Sequence, residues 1–427
     1  MIDRRRLLAA ALGLPVFAGA RAAGEQAVAD AAPALQRAID AAQAGDGVVA
    51  LPAGLRHVSR LRISGDVRLV GAGEATRLVA LRPGPMLAIA EAGRVSIENI
   101  AFDGDFRADG ETALIEARDV ADLAFRDCAV ERAGYGLRLE RCGGRVENCR
   151  FRGLAGSALH SLDGAGLSIL DNRVEDCGAN GLQVWRSAQG PDGAVLRGNR
   201  IARIRADPGG DGPWGNAISV FRAGGVSCTD NVVRDAAFSA IRFNASPDAL
   251  ILGNSCAEIG ETAIYVEFGF AGAVVSSNIV DGASTGISVT NFDQGGRLAA
   301  VSGNVLRNCS RPPPQGGAIF GIGIHVEADT AVTGNAVDKA SFAGLRLGWG
   351  VGLRDVIAQG NVLTDCGYGV AASVAPGAGG ATIRDNRIAR ARRGALVGMA
   401  WEAVVSDDLV RDAAAYPLLR IAGNETR

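Results

Sequence analysis

The chain has a single lysine, Lys339, and only three histidines, His57, His160 and His325, among its 427 residues. Its formal charge of −2 carries no basic run beyond the first few residues, so the electrostatic footprint of a nucleic-acid binder is missing. Aromatic residues make up 5%, too few for a core built around large rings. There is no Cys-x-x-Cys pair, no haem-type Cys-x-x-Cys-His and no Gly-x-Gly-x-x-Gly in a βαβ unit, which leaves no metal or cofactor motif. No Pro/Ser-rich linker divides the chain, so one continuous domain is expected.

What is abundant is glycine, 59 residues, and a recurring asparagine. Asn172, Asn199, Asn231, Asn254, Asn278, Asn304, Asn335, Asn361 and Asn386 stand in nearly the same phrase, with Ile100, Cys128 and Cys149 as degenerate copies. A period in the twenties marks a solenoid, in which one turn of chain cannot bury its apolar side alone. Three residues before most rungs is an apolar position (Ile169, Leu196, Cys228, Ile251), and two after is another (Val174, Ile201, Val233, Cys256). About ten residues on comes a third short run, as in Gly181-Leu-Gln-Val, Ala240-Ile-Arg-Phe and Ala263-Ile-Tyr-Val. Three brief strands per coil, alternating and β-branched, point to an all-β solenoid, a single-stranded right-handed parallel β-helix of about twelve coils. Asn suits the rung because it tolerates left-handed backbone angles and its amide pairs with copies above and below.

The ends differ from the middle. Residues 1–22, with Asp3-Arg-Arg-Arg-Leu-Leu, an apolar stretch Ala9 to Ala20 and Ala20-Arg-Ala22, read as a signal peptide of twin-arginine type. The stretch is short for a bilayer span, so no stable membrane span is expected after processing, and the protein is placed in the periplasm or medium by the twin-arginine export machinery. Residues 23–95 form a cap and first strands, including an amphipathic helix from Pro33 with Leu35, Ala38, Ile39 and Ala42 on its apolar stripe. Residues 96–398 carry the repeats, and 399–427 lose them and cap the last coil. The eight cysteines sit at small interior positions, and only Cys128 and Cys149 lie near enough to bridge.

The order of helix, then Gly47-Val-Val-Ala-Leu-Pro-Ala-Gly54, then Val67-Arg-Leu-Val-Gly-Ala-Gly73 looks like the opening segment of the pectate-lyase-like superfamily. Signal and ladder together resemble a family of twin-arginine-translocated β-helix repeat proteins and, more distantly, pectate lyases, polygalacturonases, and alginate lyases and epimerases. In those families the outward side of the third strand carries the substrate groove, as the resemblance implies. Fold alone does not fix the chemistry.

If Leu159, Leu182, Ile218, Ile241, Ile264, Ile287, Ile324 and Leu345 point inward, one outward row holds His160, Gln183, Ser219, Arg242, Tyr265, Ser288, His325 and Arg346. A second holds Trp185, Phe221, Asn244, Glu267, Thr290 and Glu327. The two longest turns, Ala202 to Asn216 with Trp214 and Arg307 to Gly323, both lead into that strand and wall a cleft. Gln183, Trp185, Trp214, Phe221, Asn244, Ser288 and Thr290 are substrate-binding candidates. For elimination or C5-epimerisation of a uronate, Arg242 would clamp the carboxylate and His325 or Tyr265 serve as base or acid. Hydrolysis would use Glu267 and Glu327, two coils and about 10 Å apart.

The sequence departs from the known enzymes. Asp207-Pro208 is followed by Gly209 where alginate epimerases have Asp-Pro-His, and the adjacent pair Asp407-Asp408 lies outside the groove strands, unlike that of polygalacturonases. No Asp cluster of the calcium-dependent pectate lyases appears in the groove rows. Three readings stay open: an enzyme on an acidic polysaccharide, a non-catalytic glycan-binding or structural β-helix, and a cofactor-holding protein, the last suggested only by the export route.

Overall fold

The computed structural model describes residues 28–45, 47–106, 112–210, 212–317 and 319–427. The signal-peptide segment, residues 1–22, lies outside the described residues. The rest forms a β-solenoid of about 13 turns, with one helix, α1 (Ala32–Gln43), against its first strands. Each coil contributes a strand before the Asn rung, one after it and a third beyond a turn, as in Val195–Arg197, Arg200–Ile204 and Ile218–Gly224. Strands pair in parallel with their copies one coil away, except for an antiparallel hairpin, Gly394–Ala400 with Ala403–Ser406. The count of about 13 turns agrees closely with the expected twelve; parallel pairing already begins at Val48 to Ala50, before the first legible rung.

Interior columns are mostly small or β-branched, with a few coils carrying a buried phenylalanine in the same column, as Phe151 does beside Val130 and Val174. Val174, Ile201, Val233, Cys256 and Val280 align coil upon coil and are buried. All eight cysteines are buried and free, so Cys128 and Cys149 are not bridged. They stand in for rung amides: Cys149 Sγ lies 3.4 Å from the Phe125 carbonyl oxygen, the same position one coil down that Asn172 Nδ2 reaches at the Val146 carbonyl, 3.0 Å away.

The ladder itself is unbroken from Asn172 to Asn386. At a typical rung, Asn254 N and Nδ2 both donate to Asn278 Oδ1 at 2.9 and 3.0 Å, while Nδ2 also donates to the Cys228 carbonyl at 3.0 Å. The backbone reason expected for asparagine is incorrect. Positive φ falls on the residue before each rung, at Asp171 (54°), Asp230 (57°), Ser277 (59°) and Asp385 (54°), and the rung residues themselves are not left-handed. Asparagine is there for its amide.

The far end also differs from expectation. Asn386 N and Nδ2 donate to Asn424 Oδ1 at 3.1 and 2.9 Å, and Leu419–Ala422 pairs in parallel with Ala381–Arg384. The repeat therefore resumes after Met399; an interval of 38 residues between rungs, lengthened by the hairpin and the turns after it, hides it from a search for regular spacing. In α1, Ile39 and Ala42 are buried but Ala38 is exposed, so the stripe is narrower than its spacing implied.

Candidate functional site

The register fixes the outward row of the third sheet. Leu182, Ile218, Ile241, Ile264, Ile287, Ile324 and Leu345 align and are buried inward. Their successors Gln183, Ser219, Arg242, Tyr265, Ser288, His325 and Arg346 align outward, with His160 ahead of them. Trp185, Phe221, Asn244 and Glu267 align in the next row. One face thus carries every candidate, but the candidates gather in two groups.

The first group is aromatic and then ionic. The Trp185 indole packs edge to face with His160 at 5.2 Å and Phe221 at 5.8 Å, and its Nε1 donates to Ser219 Oγ at 3.1 Å. Trp214, brought in by the long turn, stacks on Trp185 at 6.4 Å with the planes 28° apart. Trp185 and Phe221 border an open cleft of about 290 Å³ lined also by Pro213, Ser219, Arg242 and Asn244. At its floor Arg242 Nε donates to Glu267 Oε1 at 2.6 Å, and Asn244 Nδ2 donates to the same oxygen at 2.8 Å. A second guanidinium nitrogen, Nη1, donates to the Gly212 carbonyl of the long turn. Burial works against the Arg242 charge, but Glu267 more than offsets it and holds the guanidinium ionised. Burial, then the carboxylates of Glu267 and Glu261, push the Tyr265 hydroxyl up, so Tyr265 keeps its proton.

Glu261 is the residue that sequence reading missed. Burial raises its carboxyl above the ordinary range, while Gln315 Nε2 donates to Oε1 at 2.9 Å and Ser239 Oγ to Oε2 at 3.2 Å. Gln315 belongs to the second long turn, so both turns touch this one group, through Gly212 and through Gln315. The signal was available: Glu261 is a lone acid where the neighbouring coils have Phe238 and Ser284.

The second group lies further along. Ser288 and Thr290 hydroxyls are 3.3 Å apart and buried. Burial, and next the Arg346 charge, push the His325 imidazole down to about 3, so it is neutral at pH 7, and its Nε2 is buried without a partner. Burial raises the Glu327 carboxyl, whose Oε2 accepts the Phe292 N–H at 2.7 Å. By register Arg242 and His325 are three coil steps apart, about 14 Å at strand spacing. Arg242 and Tyr265 stand together, the guanidinium 5.4 Å from the ring centre, whereas His325 is two further steps away. Glu267 and Glu327 are likewise two coils apart. Among the described residues no three His, Cys, Asp or Glu side chains gather as metal ligands, and no helix is long and apolar enough to cross a membrane.

Several solved structures share this architecture. The crystal structure of pre-mature bacteriophage phi29 gene product 12 superposes with a TM-score of 0.51 at 15% identity, over 90% of this chain; the chain spans 56% of that protein's length. DFA-IIIase from Arthrobacter chlorophenolicus A6, without its lid and in complex with GF2, gives a TM-score of 0.51 at 16% identity, covering 92% of this chain and 95% of that one. At such identities the likeness is one of fold. No curated protein matches significantly. The family model described as a right handed beta helix region matches residues 88–201, 135–304 and 189–363, more than half of the chain, so the protein belongs to the right-handed β-helix family.

Proposed function

We propose that the protein is an exported glycan-binding β-helix that holds an acidic polysaccharide along the outward face of its third sheet. One observation carries this reading: an open cleft lined by Trp185, on which Trp214 stacks, and Phe221, beside the hydrogen-bonding side chains of Ser219, Arg242 and Asn244. Ring faces stack on sugar faces, and polar groups at the edge read hydroxyls and carboxylates. Arg222, 4.6 Å from the Phe221 ring centre, adds positive charge at the rim. On this reading the twin-arginine-like segment delivers the folded chain to the periplasm or medium.

Affinity electrophoresis of the processed protein through gels containing polyuronates, with Trp185→Ala and Phe221→Ala alongside, tests it. Retardation that both substitutions abolish is the expected result. Equal mobility in every uronate gel and in plain gel refutes it.

A second reading, elimination or C5-epimerisation, is favoured by a cluster in which Arg242 pairs with Glu267 and lies against the Tyr265 ring, while the Glu261 carboxylate acts on them through space. There Arg242 would position the uronate carboxylate, Tyr265 would donate a proton, and Glu261, with its raised carboxyl, would act as base in place of the distant His325. Ultraviolet absorbance of unsaturated products distinguishes a lyase from a binder. Full turnover in Arg242→Ala rules out the clamp role.

A further inference from the structure

The four tryptophans fall into two pairs. Trp185, on which Trp214 stacks, borders the cleft already described; Trp349 and Trp401 meet edge to face at 4.9 Å, with 43% and 48% of their surfaces exposed. Two large rings held open to solvent are uncommon on a merely hydrated surface. Their turn is shaped to hold them. Gly350, at φ 56°, passes so close under Trp401 that a Cβ would meet the indole at 2.2 Å, and Ser373 Oγ donates to the Gly350 carbonyl at 2.6 Å.

Three residues before Trp349, strand Ala343–Leu347 presents Arg346, 6% exposed, whose Nη2 has no hydrogen-bond partner. Its neighbour in the row, His325, also has a buried ring nitrogen without one. Two carboxylates act on Arg346 through space: Glu402, beside Trp401, and Glu327, whose Oε2 is taken by the Phe292 N–H. A buried guanidinium with an unused donor is costly, and its planar fork matches the paired oxygens of a carboxylate or sulfate. Arg242, by contrast, already holds Glu267.

We propose that Arg346, His325, Trp349 and Trp401 form a second subsite that takes a sugar ring bearing an oxyanion, either a carboxylate or a sulfate. The inference rests on the glycan-binding reading and adds where charge is read. Four coil steps separate Arg346 from Arg242, about 19 Å at strand spacing, so one extended chain would reach both. Glu402 is the built-in competitor for the guanidinium.

Thermal melting of the processed protein in chloride, sulfate and galacturonate at equal ionic strength tests the subsite. Wild type should melt several degrees higher in sulfate or galacturonate than in chloride. Arg346→Gln should lose that difference, Arg346→Lys should keep part of it, and Glu402→Gln should enlarge it. No anion-specific shift in wild type, or one that survives Arg346→Gln, overturns the proposal. A uronate polymer that binds wild type and Arg346→Gln equally, but not Trp185→Ala, sinks this subsite alone. Failure of every uronate polymer to bind sinks the reading beneath it as well.

Discussion

The Asn corner and the outward face of the third sheet share one register and one coil spacing, yet treat polar groups in opposite ways. Along the corner the same side chain recurs, and each interior amide donates and accepts along the stack, as Asn278 does with Asn254, Asn304 and the Ile251 carbonyl. Along the face no residue type repeats in neighbouring coils, and His160, His325 and Arg346, all in one row, each keep a buried nitrogen without a partner. Stacking alone is served by repetition. Unpartnered buried atoms occur elsewhere too, as at Ser157 and Asp192, but on the face three share one row, which is where the proposed ligand would bind.

The sharpest way to break that contrast is to disturb the buried ion pair at the cleft floor. Glu267→Ala leaves the Arg242 guanidinium without its carboxylate and should cost about 3–5 kcal/mol in denaturant unfolding; a loss as small as that of an exposed surface substitution would mean that the cleft floor is wet. Next comes the corner. Asn278→Ala strips the acceptor from the Asn254 amides and the donor from the Ile251 carbonyl, and should cost roughly 2–4 kcal/mol by the same assay.

His325 gives a pH signature. Its folded pKa of about 3 lies below the ordinary value of 6.5, so the unfolded chain takes the proton first. Stability should therefore fall as pH drops from 6.5 towards 3, by about 2 kcal/mol for a half-buried ring, and His325→Gln should flatten that part of the profile. The smallest effect has the opposite sign. Arg346→Met removes an unsatisfied buried charge and should raise the stability of the unligated protein by about 1 kcal/mol. A corner asparagine replaced by an apolar residue should never do so.

The coils were legible because their cause is local and repeated: a rung, an apolar residue on either side, and a turn. Alignment of the face followed from it, since a shared register stacks every third-strand residue on its copy. What escaped was set by insertions and contacts that break the period. Asn424 was hidden by the hairpin before it, and Glu261 by its place in a turn, although its charge amid apolar and small counterparts was a usable clue. The left-handed residue was misassigned by one position because Asp, Gly and Ser precede the rungs without forming one conspicuous column of their own. The separation of His325 from Arg242 follows from counting coils, but its burial depends on neighbours such as Arg346 and the Gly348 turn.

The most direct test of the functional face is the hydrogen–deuterium exchange footprint of a retained polyuronate. Protection should concentrate in the third strands from Leu182 to Leu347 and in the two long turns, with the strands flanking Asn254 and Asn278 unchanged on binding. Protection confined to the Asn corner, or spread evenly over all three sheets, would contradict a groove on this face.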